Sequence, residues 1–269
     1  MNLKPYLIAL LIAPLAAMGA AESRPAPAVT APAAAAPVNR PAPVAVATPE
    51  IHLDHAPDRS HDQKALQNGA RIFTKYCLTC HSASFMRYNR LVDIGFTEQQ
   101  IKEELMFATT KIGEPMKVVM RKSDALRWFG VVPPDHSVTV RARTSALGPG
   151  EDWVYTYLRS FYRDPMRPSS WNNVVFPNVA MHHVLWEFQG EQMLGEDHKL
   201  KLLVPGKLTP EQYDSMVADL VGYLKYMSEP SAEPRRHLGT YALIALAVLL
   251  AFAMVLKPAE KKPRQRRTA

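Results

Sequence analysis

The sequence predicts a mainly α protein, with one globular domain and a single transmembrane helix close to its C-terminus. Two kinds of observation lead to this fold class. Apolar side chains recur at helical spacing through the middle of the 269-residue chain, where two capping boxes mark helix starts. Near the end, an uncharged and mostly apolar run is long enough to cross a bilayer. Strand signals are weak, and there is no internal repeat.

The N-terminal end is predicted to direct export. Residues 1–21 have the form of a signal peptide, with Lys4 before an apolar stretch and a group of small residues at its end. A retained membrane helix is the alternative, although the apolar stretch is short and contains Pro14. Residues 22–50 are rich in Ala, Pro and Val without periodicity, which predicts an extended tether.

Residues 51–237 are predicted to form the globular domain, since this length is sufficient for one domain with its own core. Four helices are predicted in this domain. The first carries Leu66, Ala70, Phe73 and Cys77, and the second runs from about 98 to 108. The third passes through Trp153, Tyr157, Leu158 and Phe161, and the fourth follows the capping box Thr209–Gln212. Long Pro-rich loops with weak strand signals are expected at 132–150 and 164–182.

The C-terminal end is predicted to anchor the domain in a membrane. Leu238 to Leu256 is an uncharged run of 19 residues, and a helix of this length spans ~28 Å, about one hydrocarbon thickness. Residues 257–269 form a basic tail, which the positive-inside rule places in the cytoplasm. The globular domain is therefore expected in the periplasm of a bacterium, held at the inner membrane.

The net charge of +7 at neutral pH is concentrated at the two ends of the chain. The tail holds six of the Lys and Arg residues and a single acid, and Lys4 adds one more positive charge. Residues 22–237 carry 25 basic and 24 acidic side chains, so the domain is nearly neutral. The basic balance thus reflects membrane topology, and it gives no indication of nucleic-acid binding.

The two cysteines of the chain lie in the stretch Cys77-Leu78-Thr79-Cys80-His81. CxxCH is the attachment motif of a c-type haem, in which two thiols add to the porphyrin vinyl groups and the histidine ligates the iron. A structural zinc site normally needs four Cys or His ligands, usually as two pairs, and the sequence has no second cysteine pair. A redox dithiol would be expected at a helix start within strand–helix alternation, and no such alternation is found. The motif therefore predicts one covalently bound haem c, with Cys77 and Cys80 as thioethers and His81 as proximal ligand.

The ligand on the opposite face of the iron is less directly specified. A methionine gives an electron-transfer site of raised potential, a second histidine lowers the potential, and an open position favours gas binding or catalysis. Most methionines fit helix packing, whereas Met181 lies in a loop punctuated by Pro and Asn, downstream of the motif. Met181 is the preferred candidate, with His182 and His183 as alternatives.

Several separated motifs together resemble the bacterial form of the cytochrome c1 family, over nearly all of residues 60–256. The motifs are CLTCHS at 77–82, RYNRL at 87–91, PPDHS at 133–137, RAR at 141–143, GEDW at 150–153, FPNVAM at 176–181, VLWE at 184–187 and SEP at 228–230. CxxCH is common to all c-type cytochromes. The PPD block and the SEP sequence shortly before the anchor are far more specific.

The resemblance implies a role as the haem subunit of the cytochrome bc1 (quinol–cytochrome c oxidoreductase) complex. Such a subunit receives single electrons from the Rieske iron–sulfur protein and passes them to a cytochrome c, beside cytochrome b, without being an enzyme by itself. It also implies Met181 as the distal ligand and places an arginine, Arg143 here, near the haem propionates, where a guanidinium can pair with a carboxylate in two bonds. The chain departs from the family pattern at His182, usually Pro, and at His136, usually Leu.

Three other functions are compatible with parts of the sequence. A membrane-tethered cytochrome serving a terminal oxidase would keep CxxCH, the methionine and the anchor, but would not need the PPD and SEP blocks. A haem sensor or peroxidase would have an open distal site in place of a methionine ligand. A haem-free membrane dithiol protein would keep only the two cysteines.

Overall fold

A computed structural model of the protein describes residues 51–260. The predicted signal peptide, the predicted tether and residues 261–269 of the predicted tail lie outside this range. The helices are α1 (Gln63–Ile72), α2 (Glu98–Gln100), α3 (Lys122–Phe129), α4 (Thr139–Arg143), α5 (Gly150–Arg159), α6 (Trp186–Gln189), α7 (Pro210–Ser228) and α8 (Ala232–Glu260). The strands are β1 (Ala83–Arg87), β2 (Pro115–Met116), β3 (Phe161–Arg163), β4 (Trp171–Asn173), β5 (Gly190–Leu194) and β6 (Leu200–Pro205). The prediction of a mainly α fold is confirmed.

Helix α1 leads directly into the cysteine motif. The carboxylate of Asp62 caps it by accepting a hydrogen bond from the backbone N–H of Ala65 at 3.1 Å. A π-helical turn, Phe73–Cys77, extends the helix as far as the first cysteine. The prediction that a helix brings its C-terminal end to Cys77 is confirmed.

Helix α7 begins at the predicted capping box, in which the Thr209 hydroxyl accepts from the backbone of Gln212 and the Gln212 side chain accepts from the backbone of Thr209. It packs along α1, and the two backbones approach closely at Gly69. A Cβ at Gly69 would lie 2.2 Å from the carbonyl oxygen of Asp219 and 2.7 Å from Cβ of Tyr223. The absence of a side chain at this position therefore permits the contact.

Two predicted helices end elsewhere than expected. The helix predicted over 98–108 begins at its capping box, formed by Thr97 and Gln100. Its last, π-helical turn ends at Leu105, and Met106 is extended. Thr109, a poor helix former, accepts from the backbone N–H of Lys111 at 3.2 Å and so stabilises a turn in place of a further helical turn. The helix predicted through Phe161 ends at Arg159, because Phe161 pairs with Asn173 in the β3–β4 ladder.

The regions predicted as loops contain short elements. Helix α4 lies within 132–150, where the sequence pattern did not indicate a helix, and β4 lies within 164–182, where weak strand signals were expected. Helix α3 and the antiparallel hairpin β5–β6 were not predicted. The three small sheets in the described residues each have two antiparallel strands. These elements connect the helices and position the loops around the cavity described below.

The main core lies between α1, α7 and the segments that follow the cysteine motif. Its largest fully buried side chains include Phe73, Tyr88, Met86, Leu91 and Tyr223. The Phe73 and Tyr223 rings lie 5.7 Å apart between α1 and α7. A second, small cluster is formed by Phe161, Trp171 and Val179, with Tyr157 and Met181 packed against it.

Helix α8 is the one helix among the described residues that is long and apolar enough to cross a membrane, over Ala232–Lys257. None of its most apolar segment is buried within the protein. The predicted span at 238–256 lies within it, and the helix starts earlier because polar residues such as Arg235 and Arg236 continue the same helical turns. The length and exposure of α8 are those of a membrane anchor.

We predict that Gly69→Ala destabilises the protein by about 1–3 kcal/mol, although alanine favours an isolated helix. The added methyl group would push α1 away from the Asp219 carbonyl of α7. Urea unfolding of the purified, haem-loaded protein, followed by circular dichroism, measures the effect. Gly113→Ala is the control, because a Cβ there meets no atom within 4 Å. Equal stability of the two variants would contradict the close packing of α1 and α7.

Candidate haem site

A largely apolar cavity of about 470 Å³ lies at the end of α1. Its walls come from the cysteine motif, the PPDH loop, helices α4, α5 and α7, and the loop before α6. Cys77, Cys80, His81, Arg143 and Met181, the five predicted site residues, all line it. Residues separated by more than 100 positions in the sequence are thus brought to one largely apolar cavity, the kind of site that binds a cofactor.

The cysteine motif folds as a tight turn. Backbone N–H groups of Cys80 and His81 donate to the carbonyl oxygen of Cys77 at 3.0 and 2.8 Å, and that of Leu78 donates to Phe73 at 2.9 Å. This turn directs both thiols and the imidazole into the same cavity. The arrangement fits the two attachment points and the proximal ligand of one haem.

The imidazole of His81 is held in one tautomer. Its Nδ1 lies 2.8 Å from the carbonyl oxygen of Pro134, which can only accept, so Nδ1 carries the proton and donates it. Burial lowers the pKa of His81, outweighing the opposite effects of the Pro134 carbonyl and the Asp135 carboxylate. The ring is therefore neutral, with the Nε2 lone pair available to a metal ion, as a ligand histidine requires.

The thiol of Cys77 does not have the properties of a redox dithiol. Burial, together with the neighbouring Cys80, raises the pKa of Cys77 to about 12, and the two cysteines form no disulfide. A reactive dithiol needs a lowered pKa, because the thiolate is the nucleophile. Among the described residues there is also no cluster of three or more His, Cys, Asp or Glu side chains that could hold a metal ion by themselves. The geometry thus favours haem over the dithiol and zinc alternatives.

The PPDH loop is fixed to the segment after the cysteine motif by one carboxylate. Asp135 accepts hydrogen bonds from the backbone of Ser84 at 2.9 Å and of Ser137 at 2.8 Å, and a further one from the Ser137 hydroxyl. Burial would raise the pKa of Asp135, but these hydrogen bonds outweigh it and lower the pKa. The carboxylate therefore remains ionised and holds the loop that presents the Pro134 carbonyl to His81.

His136 lies against the predicted proximal ligand. Its ring stacks on that of His81, with centroids 4.0 Å apart and an angle of 15° between the planes. Its Nδ1 lies 2.8 Å from the hydroxyl of Thr139. His136 therefore supports one face of the His81 ring, a contact that the sequence alone did not indicate.

Met181 lies on the loop that forms another part of the cavity wall. The amide oxygen of Asn173 accepts from the backbone of Val175 at 3.0 Å and of Phe176 at 3.1 Å. The amide oxygen of Asn172 accepts from the backbone of Asn178 at 2.8 Å. Two side chains of β4 thus replace the regular hydrogen bonds that this loop lacks, and they fix the path of the chain towards Met181.

The three candidate distal ligands differ in position. Met181 and His182 both line the cavity, and the ring of His182 lies 6.3 Å from that of Phe129. His183 is not part of the lining, because it is buried behind the cavity wall with its ring stacked on Phe161 at 4.8 Å. The geometry therefore leaves Met181 and His182 as possible ligands and disfavours His183.

Arg143, at the end of α4, lies over aromatic rings of the cavity lining. Its guanidinium is 4.2 Å from the centroid of Trp153 and 5.9 Å from that of Phe176. It forms no salt bridge with a carboxylate of the described residues. A half-buried guanidinium without a protein counter-ion fits a site that receives a ligand carboxylate, such as a haem propionate.

Tyr157 is a cavity residue whose role the sequence did not reveal. The spacing of Trp153, Tyr157 and Leu158 indicated only a helix face. In the structure the Tyr157 hydroxyl lies 3.4 Å from Sδ of Met181, a contact between α5 and a loop 24 residues away. No local pattern indicates such a contact, because it depends on how the loop returns to α5.

Comparison with known proteins gives a family match over most of the chain. The model of the "Cytochrome C1 family" matches residues 54–263. The chain is 48% identical to a protein of Nitrosomonas europaea named ammonia monooxygenase gamma subunit, and 42% identical to cytochrome c1 of Allochromatium vinosum; each match covers 77% of this chain and 87% of the relative. Cytochrome c1 of Rhodospirillum rubrum is 28% identical, over 73% of this chain and 80% of that protein.

Proposed function

Since the chain belongs to the cytochrome c1 family, we propose that its cavity holds haem c between His81 and Met181 and that electrons enter and leave at the cavity rim. Members of this family are the haem subunit of the bc1 complex. The chain is therefore an electron-transfer subunit with one covalently bound haem, and it is not an enzyme by itself. The terminal-oxidase and sensor alternatives are not favoured.

The observation that carries the proposal is that His81 and Met181, the two proposed iron ligands, line the same cavity as the two thiols. Cys77 and Cys80 supply the thioether sulfurs, and His81 offers Nε2 because its Nδ1 proton is donated to Pro134. Met181 offers its sulfur from the loop that the amides of β4 hold in place. When bound, the haem supplies the iron that takes up and releases one electron.

The rigidity of these residues suits electron transfer. The tautomer and the face of the His81 ring are fixed by Pro134 and His136, and Met181 packs against a buried aromatic cluster. Ligands that remain in place in both oxidation states keep the structural reorganisation small. Arg143, which is half-buried and has no salt bridge within residues 51–260, would pair with a haem propionate and offset its charge.

Electron partners approach the apolar rim of the cavity. Val131, Val138 and Phe176 line the cavity and are also 45%, 41% and 46% exposed, so the cavity opens to solvent between them. Apolar side chains at such an opening allow close contact with a partner surface. The Rieske iron–sulfur protein is the donor and a cytochrome c is the acceptor.

The anchor positions the domain in the complex. Helix α8 crosses the bacterial inner membrane and packs against cytochrome b, with the haem domain in the periplasm. The basic residues after the helix remain in the cytoplasm by the positive-inside rule. The export signal proposed for residues 1–21 agrees with this orientation, because c-type haem is attached outside the bacterial cytoplasm.

We predict that Met181→Ala abolishes the weak red methionine–iron absorption band of the oxidised protein. Its reduction potential is expected to fall by at least ~59 mV, a tenfold change in the equilibrium, because methionine ligation raises the potential. The visible spectrum and a redox titration measure both effects. His182→Ala is the matched variant and is expected to retain the band. A band that survives in Met181→Ala, or the absence of the band from the unsubstituted protein, would contradict Met181 as the distal ligand.

The partner assignment is tested by purifying the full-length protein from its own membranes in mild detergent and identifying its companions by mass spectrometry. We expect cytochrome b and a Rieske protein, retained through α8. The variant Leu246→Arg, with a charge in the middle of α8, is expected to reduce their yield, because a buried charge in a membrane helix is costly. Recovery of a terminal oxidase, or of ammonia monooxygenase subunits, in place of cytochrome b would contradict the assignment.

A further inference from the structure

The hydroxyl of Tyr157 makes a polar contact with the sulfur of Met181, at 3.4 Å. This distance is within the range of a hydrogen bond to sulfur, in which the phenol can donate and the thioether can only accept. Both side chains line the cavity and both pack against the Phe161 cluster. The Tyr157 side chain is half-buried, and within residues 51–260 the one hydrogen-bond partner of its hydroxyl is the sulfur of the proposed ligand.

The ring of Tyr157 is held on both sides. It stacks on Trp153, with centroids 5.0 Å apart and planes at 12°, and Phe161 meets it edge-on at 5.1 Å. The backbone carbonyl of Tyr157 accepts a hydrogen bond from the side-chain amide of Asn173 at 2.8 Å. Because Asn173 also fixes the start of the loop that carries Met181, the donor and the acceptor share one support.

The chemistry of the two groups sets the direction of the contact. A tyrosine hydroxyl is protonated at neutral pH and can donate a hydrogen bond, whereas a thioether sulfur has no proton and can only accept. The thioether sulfur has two lone pairs, so it can bind iron with one and accept from Tyr157 with the other.

We propose that Tyr157 tunes the haem by donating a hydrogen bond to Met181 and thereby raises its reduction potential. The inference rests on the proposed role of Met181 as the distal ligand. A hydrogen bond to a ligand atom withdraws electron density from it, so the ligand donates less strongly to the iron. A weaker donor destabilises the oxidised iron relative to the reduced iron, and the reduction potential rises. Tyr157 is thus a positioning and tuning residue that acts through Met181.

The test is Tyr157→Phe, which removes the hydroxyl and keeps the ring between Trp153 and Phe161. Redox titration of the haem-loaded protein is expected to give a reduction potential that is lower by up to ~59 mV. For a one-electron couple, this shift is a tenfold change in the ratio of reduced to oxidised protein. The methionine–iron band is expected to remain. Tyr155→Phe is the control: Tyr155 is a buried tyrosine on the same helix that does not line the cavity, and its variant should keep the wild-type potential.

The possible results separate this inference from the ligand assignment. A potential in Tyr157→Phe equal to that of the control, or higher, with the band intact, would overturn the tuning role and leave Met181 as ligand. Loss of the band in Tyr157→Phe would identify Tyr157 as packing support and would also overturn the tuning role. A band that survives in Met181→Ala would overturn the ligand assignment itself.

Discussion

The hydrogen bond from Nδ1 of His81 to the carbonyl oxygen of Pro134 is the interaction on which the proposed site depends most. It joins the turn at the end of α1 to a loop more than 50 residues later, and it fixes the tautomer that leaves Nε2 available. The loop can present its carbonyl because Asp135 ties it to Ser84 and Ser137. Packing of α1 on α7 then holds the turn in place, so a contact between two helices supports the orientation of one imidazole.

The other side of the cavity is stabilised by different means. No long helix carries Met181; side-chain amides of β4 and a small aromatic cluster define the path of its loop. Loop residues held by buried hydrogen bonds can be as well ordered as helical ones, since each polar group has a partner. For an electron carrier, a proposed ligand held in this way would keep its position when the iron gains or loses an electron.

Local features of the fold could be predicted from the sequence, whereas contacts between distant segments could not. The capping boxes at Thr97 and Thr209 located two helix starts, and the spacing from Leu66 to Cys77 gave the helix that leads into the motif. The predicted end of the helix over 98–108 was wrong, because the hydroxyl of Thr109 stabilises a turn there. Helix α3 and the β5–β6 hairpin were missed, since their short segments lack a clear period.

The same division applies to the site. All five residues expected from the motif and the family resemblance line one cavity. The stacking of His136 on His81 and the contact of Tyr157 with Met181 depend on tertiary packing, and a tyrosine on an apolar helix face is ordinarily a core residue. In sequence His136 was visible only as a departure from a pattern, and Tyr157 only as part of a helix face.

The proposed function requires a haem attached to Cys77 and Cys80 in this cavity. Proteolysis of the purified protein, followed by mass measurement of the peptide that contains both residues, tests this attachment. We expect a peptide heavier by one intact haem, with both sulfurs modified and a c-type pyridine haemochrome spectrum. An unmodified peptide, or one with a disulfide between the two cysteines, would contradict it.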